Sequence, residues 1–457
     1  MFEHRLAVSL IVVGVCLACA LPCPAQTFGA PTAYNPGGTE PISLFIADFD
    51  GANGVDIAVA NFTTNNIGIF LNAGGGVFPG AATNYALPGG ATGPIDICGG
   101  DLEPDGDVDL VTSNSTTNNV TVFLNAGGGV FGAGVSYATG ATGLNVLYVG
   151  NLDTANGLDI AVADFGGAAG DNVYVLLEQV AAGISYGAAA AYPVGAGGAD
   201  APFGLAGGLI DGDADIDLVC SCAAGDQMAY MANNGVGVFA VNNLNIAAGG
   251  SGPSAIVVAN FNGGGLDAAT VNQLTDNISI ALGDGATPFP GPWPSPVYAV
   301  SASAPGPFQL ASADLDGDGD IDIAVATPAV AGIDVRVNNG AGVFAAAAGS
   351  PFTTGPGTDP RGIKCADVDG DGDQDLIAGE LGTDRVVILL NTTGGGGGGG
   401  GAGGGEVTGG GSGGGGCFVD GADRLARRGG TGFVVLLVLI VSILQVAWIR
   451  KPKKMCP

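Results

Sequence analysis

Aspartates recur at regular short intervals in two nine-residue stretches of this sequence. Residues 314–322 read DLDGDGDID and residues 367–375 read DVDGDGDQD, and an apolar run follows each stretch. Carboxylates at the first, third, fifth and ninth positions can surround a hard cation such as calcium, whereas zinc prefers nitrogen or sulfur ligands. The glycines between them allow the sharp turns that such a loop needs. Both stretches therefore predict calcium loops that lead into β-strands.

Weaker versions of this loop occur five more times upstream, so the chain is built from a repeat. The seven loops begin 50 to 58 residues apart, at positions 48, 101, 151, 209, 260, 314 and 367. Each repeat contains four short β-branched or aromatic runs separated by glycine and asparagine, as in an antiparallel meander. Because one such unit cannot bury its own apolar faces, units of this length stack as propeller blades. The sequence predicts an all-β fold, a seven-bladed β-propeller of four-stranded antiparallel blades, over residues 27–391.

The end of the last repeat predicts how the ring closes. The seventh repeat meets a glycine-rich segment before any fourth run, whereas residues 27–34 (TFGAPTAY) match residues 130–137 (VFGAGVSY) of the second repeat in their Phe, Gly, Ala and Tyr positions. We therefore expect the N-terminal segment to complete the seventh blade and to cover an edge that would otherwise stay unpaired.

A second repeated phrase, LNAGGGVF, occurs at residues 71–78 and 124–131 and, in looser form, at 337–344. Together with the aspartate loops, these phrases resemble the FG-GAP or VCBS-type repeats of integrin-α-like β-propellers, over nearly all of residues 27–391. The resemblance implies that each acidic loop joins the first and second strands of a blade and holds calcium on one face of the disc. In the three loops that follow the motif, the implied ligands are Asp314, Asp316, Asp318 and Asp322; Asp367, Asp369, Asp371 and Asp375; and Asp101, Glu103, Asp105 and Asp109.

The other four loops depart from the motif. The first and third have alanine at the fifth position, the fourth has Leu209 at the first position, and the fifth is one residue short and nearly uncharged. A divalent cation needs several anionic ligands, so we expect weak sites in the first, third and fourth repeats and none in the fifth. The weak-site residues are Asp48, Asp50, Asp56, Asn151, Asp153, Asp159, Asp211, Asp213 and Asp217. The alternative for every loop is an acidic, solvated turn without a cation.

The charge balance excludes nucleic acid as a partner. The net charge is −30, and between residues 27 and 416 the basic side chains are Arg336, Arg361, Lys364 and Arg385. Nucleic-acid binding needs far more cations. The single histidine, His4, lies in the N-terminal segment, so imidazole chemistry is not offered by the rest of the sequence. These features argue against an enzyme, although catalysis by carboxylates alone stays open.

Cysteine usage does not indicate a disulfide framework. Cys98, Cys220, Cys222 and Cys365 lie within the repeats with neither a CxxC pair nor dense spacing. We interpret them as small residues buried on strands. A bridge between Cys98 and Cys365 is the alternative.

Targeting signals are predicted at both ends. Residues 1–25 combine Arg5, an apolar stretch at 6–21 and small residues near the end, which predicts a secretory signal peptide. A membrane anchor fits this segment less well, because the run is short and Pro22 and Pro24 interrupt it. Residues 392–416 form a glycine-rich linker with an r.m.s. reach of about 26 Å.

Residues 417–457 contain Cys417, an apolar run at 433–449 and four basic residues at 450–454, which predict a transmembrane helix with a cytoplasmic tail. This order also resembles bacterial C-terminal sorting tags, in which a membrane protease cleaves near the cysteine or the glycines. Tag and plain anchor are both kept as hypotheses. A GPI signal does not fit the charged end.

These features together predict an exported protein, anchored at the cell surface or outer envelope, whose monomeric propeller binds several calcium ions and a glycan or protein ligand. Two alternatives belong to other classes. One is a secreted polysaccharide lyase or hydrolase that uses carboxylates in the central channel, and the other is a structural envelope protein without a specific ligand.

Overall fold

The β-branched runs of each repeat form one antiparallel sheet, and seven such sheets make up a β-propeller. The computed structural model describes residues 26–155, 157–166, 171–179, 184–194, 201–247, 249–290, 296–301 and 306–393. Strands within each blade pair in chain order, apart from the last strand of the seventh blade and one additional short strand of the sixth. The predicted all-β, seven-bladed fold is therefore confirmed.

The first strand of the chain, β1 (Thr32–Tyr34), precedes blade 1. Blade 1 contains β2 (Pro41–Ala47), β3 (Asp56–Asn61), β4 (Asn66–Phe70) and β5 (Thr83–Ala86). Blade 2 contains β6 (Pro94–Gly100), β7 (Asp109–Asn114), β8 (Asn119–Phe123) and β9 (Val135–Ala138). Blade 3 contains β10 (Leu144–Gly150), β11 (Asp159–Asp164), β12 (Asn172–Leu176) and β13 (Ala190–Pro193). Blade 4 contains β14 (Pro202–Gly208), β15 (Asp217–Cys222), β16 (Gln227–Asn233) and β17 (Phe239–Ala247).

Blade 5 contains β18 (Pro253–Ala259), β19 (Asp267–Asn272), β20 (Asn277–Ala281) and β21 (Val297–Ala299). Blade 6 contains β22 (Leu310–Ala313), β23 (Asp322–Thr327), a 3-10 turn (Pro328–Val330), β24 (Gly332–Asn338), β25 (Phe344–Ala346) and β26 (Phe352–Thr353). Blade 7 contains β27 (Pro360–Ala366), β28 (Asp375–Glu380) and β29 (Arg385–Leu389).

The first strands of the blades form the inner ring of the propeller. Strand β2 contacts β6 on one side and β27 on the other, and the same neighbour contacts run from β6 through β10, β14, β18 and β22 to β27. The ring is therefore closed, and the first strand of every blade lies next to the central channel.

Apolar side chains are buried between neighbouring blades. One buried cluster, for example, joins Val59 and Phe70 of blade 1 to Ile377 and Ile388 of blade 7. Both faces of an inner blade strand are covered in this way, which explains why the second strands are buried along their whole length. Burial of a side chain of this size contributes about 1.5–3 kcal/mol relative to its exposure.

The N-terminal segment completes the seventh blade. Strand β1 pairs antiparallel with β29, with Thr32 opposite Ile388 and Tyr34 opposite Val386. The Tyr34 ring packs edge-on against Phe78 of blade 1, with centroids 5.6 Å apart. The predicted closure is confirmed.

The Tyr34 hydroxyl also reaches the carbonyl oxygen of Gly76 in blade 1 at 3.5 Å. The fourth-strand tyrosine of blade 5, Tyr298, makes the same contact with Gly342 of blade 6 at 3.3 Å. The N-terminal strand thus reproduces the contact that an ordinary fourth strand makes with the following blade.

Two details differ from the sequence analysis. In blade 2 the fourth run of the repeat covers residues 131–137, but the strand begins at Val135, because Phe131 lies in the preceding turn and packs edge-on against Phe49 at 5.6 Å. Blade 6 has an additional short strand, β26, which pairs with the start of β24. Its sheet therefore has five strands.

The alternative disulfide is not formed. Cys365 is a free thiol, as are the buried Cys220 and Cys222. Strand β2 lies between β6, which carries Cys98, and β27, which carries Cys365, so the two cysteines are not on neighbouring strands. The interpretation as small buried residues is confirmed for Cys220 and Cys222, whereas Cys365 is only partly buried and Cys98 is disulfide-bonded.

No helix long and apolar enough to cross a membrane is found within the described part of the chain. The predicted signal peptide, the glycine-rich linker beyond residue 393 and the predicted transmembrane run at 433–449 lie outside the described residues.

Glu380, at the end of β28, is fully buried. Among the described residues, neither of its carboxylate oxygens has a hydrogen-bond partner. The hydroxyls of Thr354 and Thr358 bond to each other at 2.8 Å, and the Thr358 hydroxyl also donates to the carbonyl oxygen of Gly355 at 2.9 Å. Burial raises the Glu380 pKa to about 7, against the smaller opposing effects of the Thr354 hydroxyl, the Asp359 backbone and the Thr358 hydroxyl.

Deleting residues 27–34 should lower the melting temperature by more than an eight-residue trim normally does, because it exposes the edge of β29 and removes the aromatic contacts of Tyr34. Each lost aromatic pair costs about 0.5–1.5 kcal/mol beyond the lost burial. Thermal unfolding and light scattering measure the effect. Deletion of residues 409–416 in the glycine-rich segment is the control of equal length, and equal melting temperatures for the two variants would contradict closure by β1.

Glu380→Gln should remove a pH-dependent loss of stability. A carboxyl whose pKa is higher in the folded state than in the unfolded state stabilises the fold fully below the unfolded value, and this contribution is lost as pH rises through the folded pKa, about 7 here. The wild-type melting temperature should therefore fall relative to that of Glu380→Gln between about pH 5 and pH 8. Asp284→Asn, at an exposed turn, is the control and should show the wild-type profile. Parallel profiles for wild type and Glu380→Gln would refute this account.

Candidate functional site

The acidic loops all lie on one face of the propeller. Each loop connects the first strand of a blade to the second, as residues 314–321 do between β22 and β23. Since every first strand runs in the same direction along the channel, the seven loops emerge together. The loop of blade 6 turns at Gly317 and Gly319, whose φ angles are +76° and +96°. Glycine adopts such angles without strain, so the predicted role of these residues in turning is confirmed.

Carboxylates converge in four of these loops. In each, oxygen atoms of three aspartates lie within 4.8 Å of one another. These sets could hold a metal ion, and a hard divalent cation suits an all-oxygen ligand set. The four clusters are Asp48, Asp50 and Asp56 in blade 1; Asp211, Asp213 and Asp217 in blade 4; Asp314, Asp316 and Asp322 in blade 6; and Asp367, Asp369 and Asp371 in blade 7.

The clusters follow the sequence ranking only in part. Blades 6 and 7 each gather three of their four predicted ligands: the blade 6 cluster does not include Asp318, and the blade 7 cluster does not include Asp375. Blades 1 and 4, predicted to be weak, gather three carboxylates as well. Among the described residues, the predicted ligands of blade 2 (Asp101, Glu103, Asp105 and Asp109) and of blade 3 (Asn151, Asp153 and Asp159) do not form a cluster of this kind.

Blade 3 offers only two of the predicted carboxylates, because its first loop position is asparagine and its fifth is alanine. Asn151, at the first loop position, donates its Nδ2–H to the carbonyl oxygen of Ala155 at 2.7 Å. Blade 2 instead exposes Asp105, whose carboxylate accepts the backbone N–H of Asp107 at 3.0 Å.

The aspartate that ends the acidic loop, at the ninth position in six blades and at the eighth in blade 5, has a structural role in every blade. We call it the ninth aspartate throughout. In blade 6, Asp322 accepts the backbone N–H of Leu315 at 2.9 Å with one oxygen and that of Asn338 at 2.8 Å with the other. One buried carboxylate thus ties the acidic loop to the residue that follows the third strand. The equivalent residues, all at most 1% exposed, are Asp56, Asp109, Asp159, Asp217, Asp267, Asp322 and Asp375.

Blade 5 separates this role from metal binding. Asp267 accepts the backbone N–H groups of Phe261 and Gly283, both at 2.7 Å, although its loop has no other carboxylate. From its spacing alone, the ninth aspartate was predicted only as a calcium ligand. The signal that was missed is its presence at the start of the second strand in all seven repeats, including the one whose loop lacks the remaining acids.

An asparagine extends this arrangement to the neighbouring blade. In blade 6, the Asn338 Nδ2–H group donates to the carbonyl oxygen of Phe261 in the loop of blade 5 at 2.8 Å. It also donates to Ile321 of its own blade at 3.1 Å. The residues that brace adjacent blades in this way are Asn72, Asn125, Asn233, Asn338 and Asn391, with donor–acceptor distances of 2.7–2.9 Å to the preceding blade.

Burial raises the pKa of the ninth-position carboxyls. The pKa is raised to about 8 for Asp322 and to about 7 for Asp375, chiefly by burial and also by the neighbouring aspartates, while the backbone N–H bonds oppose the shift. A cation at these loops would favour the charged carboxylates. Protons and calcium should therefore compete for the same oxygen atoms.

The channel contains a second polar group that the sequence analysis did not identify. Asp96 on β6 accepts the Ser43 hydroxyl at 2.6 Å and the backbone N–H of Leu147 at 3.0 Å. Burial raises its pKa to about 6. Burial also lowers the pKa of Lys364 on β27 to about 8, and Asp96 opposes that shift. The two residues are 268 positions apart in the sequence, so no local motif marks them.

Comparison with protein families supports the repeat assignment. Residues 314–378 match the FG-GAP-like repeat, and this segment contains the two loops richest in aspartate. The chain therefore carries an FG-GAP-like repeat within a seven-bladed propeller. A search of curated proteins found no match.

Several solved structures are similar in fold. A catalytically inactive virginiamycin B lyase from Staphylococcus aureus with quinupristin aligns at a TM-score of 0.55 and 13% identity, over 80% of this chain and 99% of the lyase. BBS1N in complex with ARL6DN aligns at a TM-score of 0.52 and 12% identity, over 80% of this chain and 96% of that chain. Identities this low establish a shared propeller fold and nothing about activity.

Asp267→Ala should destabilise the propeller equally in calcium and in chelator. It leaves two backbone N–H groups without their acceptor, at about 1–3 kcal/mol each. Asp371→Asn, in the blade 7 cluster, should instead cost stability mainly in calcium. Melting temperatures of both variants in calcium and in chelator measure the contrast. A calcium-dependent effect at Asp267 would contradict its purely structural role.

Proposed function

We propose that this chain, a seven-bladed propeller with an FG-GAP-like repeat, is an exported, calcium-binding surface protein that binds a glycan or protein ligand and has no catalytic activity. The observation that carries the calcium proposal is the convergence of three carboxylates in each of four loops. Calcium is the cation best suited to such flexible all-oxygen sets.

The ligand-binding part of the proposal rests on the surface that the fold provides. A propeller presents two broad faces, and here the acidic loops are confined to one of them, which leaves the opposite face free for recognition. Export and anchoring rest on the sequence of the two ends, with the apolar stretch at 6–21 and the apolar run and basic residues at 433–454. The glycine-rich segment would act as a tether.

Calcium should raise the melting temperature of the full chain, because a ligand that binds only the folded state stabilises it by mass action. Asp371→Ala should weaken calcium binding more than Asp213→Ala, since the loop of blade 7 has carboxylates at all four motif positions and that of blade 4 has Leu209 at the first. Isothermal titration with calcium measures both affinities. Equal losses would contradict the ranking of the sites.

Ligand binding itself is tested by screening the full chain against glycan and protein panels in calcium and in chelator. Binding that is lost in chelator supports the proposal. Turnover of a polysaccharide would favour an enzyme. If neither binding nor turnover is detected, the remaining hypothesis is a structural envelope protein without a specific ligand.

Truncation after Gly416 should release the protein from membranes, because it removes the predicted span and its basic tail. Fractionation of cells that express either form, followed by immunoblotting, measures the distribution. If the truncated form stays with the membranes, the proposed anchor is wrong. A membrane protease that processes the tail would yield a shorter full-length product, which distinguishes a sorting tag from a plain anchor.

One observation favours an enzyme as the second candidate. Asp96 and Lys364 have pKa values of about 6 and about 8, close to the range that general acids and bases use. An enzyme that used them would lose turnover in both Asp96→Asn and Lys364→Met without a comparable loss of calcium binding. Assays on polysaccharide substrates would detect it.

A further inference from the structure

Aromatic side chains from separate blades meet at the mouth of the channel, on the face opposite to the acidic loops. Phe203 follows the first residue of β14, and Arg361 occupies the same position in β27. Phe308 lies just before β22. Because each acidic loop follows the last residue of a first strand, residues at the beginning of these strands lie at the far end of the channel. Phe165, directly after β11, emerges on the same face.

These residues form a continuous line across the mouth. The rings of Phe165 and Phe203 meet edge to face with centroids 5.3 Å apart, and those of Phe203 and Phe308 with centroids 6.2 Å apart. The guanidinium of Arg361 lies over the Phe308 ring, 4.7 Å from its centroid. We call Phe165, Phe203 and Phe308 the aromatic row. It runs from blade 3 to blade 6 and ends at an arginine of blade 7.

The aromatic row is open to solvent. Phe165 is 46% exposed, and Phe203 and Phe308 are partly exposed. Most large apolar side chains of the described chain are buried between blades, so an exposed aromatic line is unusual for this protein. Exposed apolar surface bordered by polar groups marks interaction sites.

The aromatic row ends at an ion pair between Arg361 and Asp359, which together carry no net charge. Arg361 pairs with Asp359 through two hydrogen bonds, of 2.9 and 3.3 Å. Both side chains keep some exposure, 20% for Arg361 and 33% for Asp359. The pair therefore retains N–H donors and carboxylate lone pairs for a ligand and carries no net charge. This contrasts with the chain as a whole, whose net charge is −30.

We propose that the aromatic row and the Arg361–Asp359 pair form a binding site for a neutral saccharide, which specifies the ligand class of the function proposed above and rests on it. Aromatic faces pack against the C–H surface of sugar rings, while a guanidinium donates to sugar hydroxyls and a carboxylate accepts from them. A charged ligand would gain little, because the side chain of opposite charge, Arg361 or Asp359, is already neutralised by its partner in the ion pair. A purely apolar ligand would leave the ion pair desolvated and without new partners.

The test is binding of the full chain, in calcium, to an array of neutral and anionic oligosaccharides, followed by titration with the strongest neutral binder. Phe165→Ala and Arg361→Lys should each weaken that binding by at least about tenfold. Leu274→Ala is the matched control, because Leu274 is 77% exposed on the same face but lies outside the aromatic row. It should leave the affinity unchanged. Melting temperatures of all variants in calcium confirm that they fold.

The experiment distinguishes failure of the proposed saccharide site from failure of the proposed ligand-binding function. If a neutral saccharide binds but Phe165→Ala and Arg361→Lys do not weaken it, the site is wrong and the proposed ligand binding stands. Binding only to anionic oligosaccharides, or only to a protein partner, would refute the ligand class. If no glycan or protein binds, both the site and the proposed function fail.

Discussion

The fold depends on one interaction repeated in seven blades, a buried carboxylate that accepts two backbone N–H groups. Asp322 shows its geometry, with one oxygen holding the acidic loop and the other holding the residue after the third strand. Both donors lie in a buried region, so loss of the carboxylate would leave them unsatisfied at about 1–3 kcal/mol each. The asparagine at the second of these positions then reaches the preceding blade. In the five blades that have this asparagine, the register within a blade and the spacing to the preceding blade are thus set by the same pair of residues.

Blade 5 explains why this interaction persists where the metal ligands do not. Its loop has lost every carboxylate except Asp267, yet the two backbone bonds are as short as in other blades. It also has Gly283 where five blades have the bracing asparagine. A Cβ at Gly283 would lie 2.1 Å from the carbonyl oxygen of Leu266, so no asparagine fits there without movement of the backbone. The fold and cation binding therefore share residues but differ in what they require. Cation binding needs several carboxylates, whereas the fold of a blade needs only the ninth aspartate.

Because the fold and cation binding share residues, the sequence predicts the architecture better than it predicts the role of each residue. The period, the four runs of each repeat and the match between residues 27–34 and 130–137 are local signals, and each was sufficient to predict the architecture. The double role of the ninth aspartate is visible in the sequence only at blade 5, because in the other loops a calcium ligand and a structural acceptor give the same residue at the same spacing. The hydrogen bond from the Asn151 side-chain amide to the Ala155 carbonyl oxygen is a contact that residue spacing does not reveal. Asp96 and Lys364, like the aromatic row, are assembled from distant blades by ring closure alone.

The alternating direction of the strands connects the two faces of the propeller. Strand β27 has Arg361 near its beginning, and Asp367 of the blade 7 cluster follows its last residue. The seven residues of strand β27 therefore connect a candidate cation site at one end to the proposed saccharide site at the other. A cation that orders the acidic loop fixes one end of this strand, and the asparagine braces pass that order to the neighbouring blades. Coupling between two binding sites is reciprocal in free energy, so any factor by which calcium strengthens saccharide binding must equal the factor by which the saccharide strengthens calcium binding.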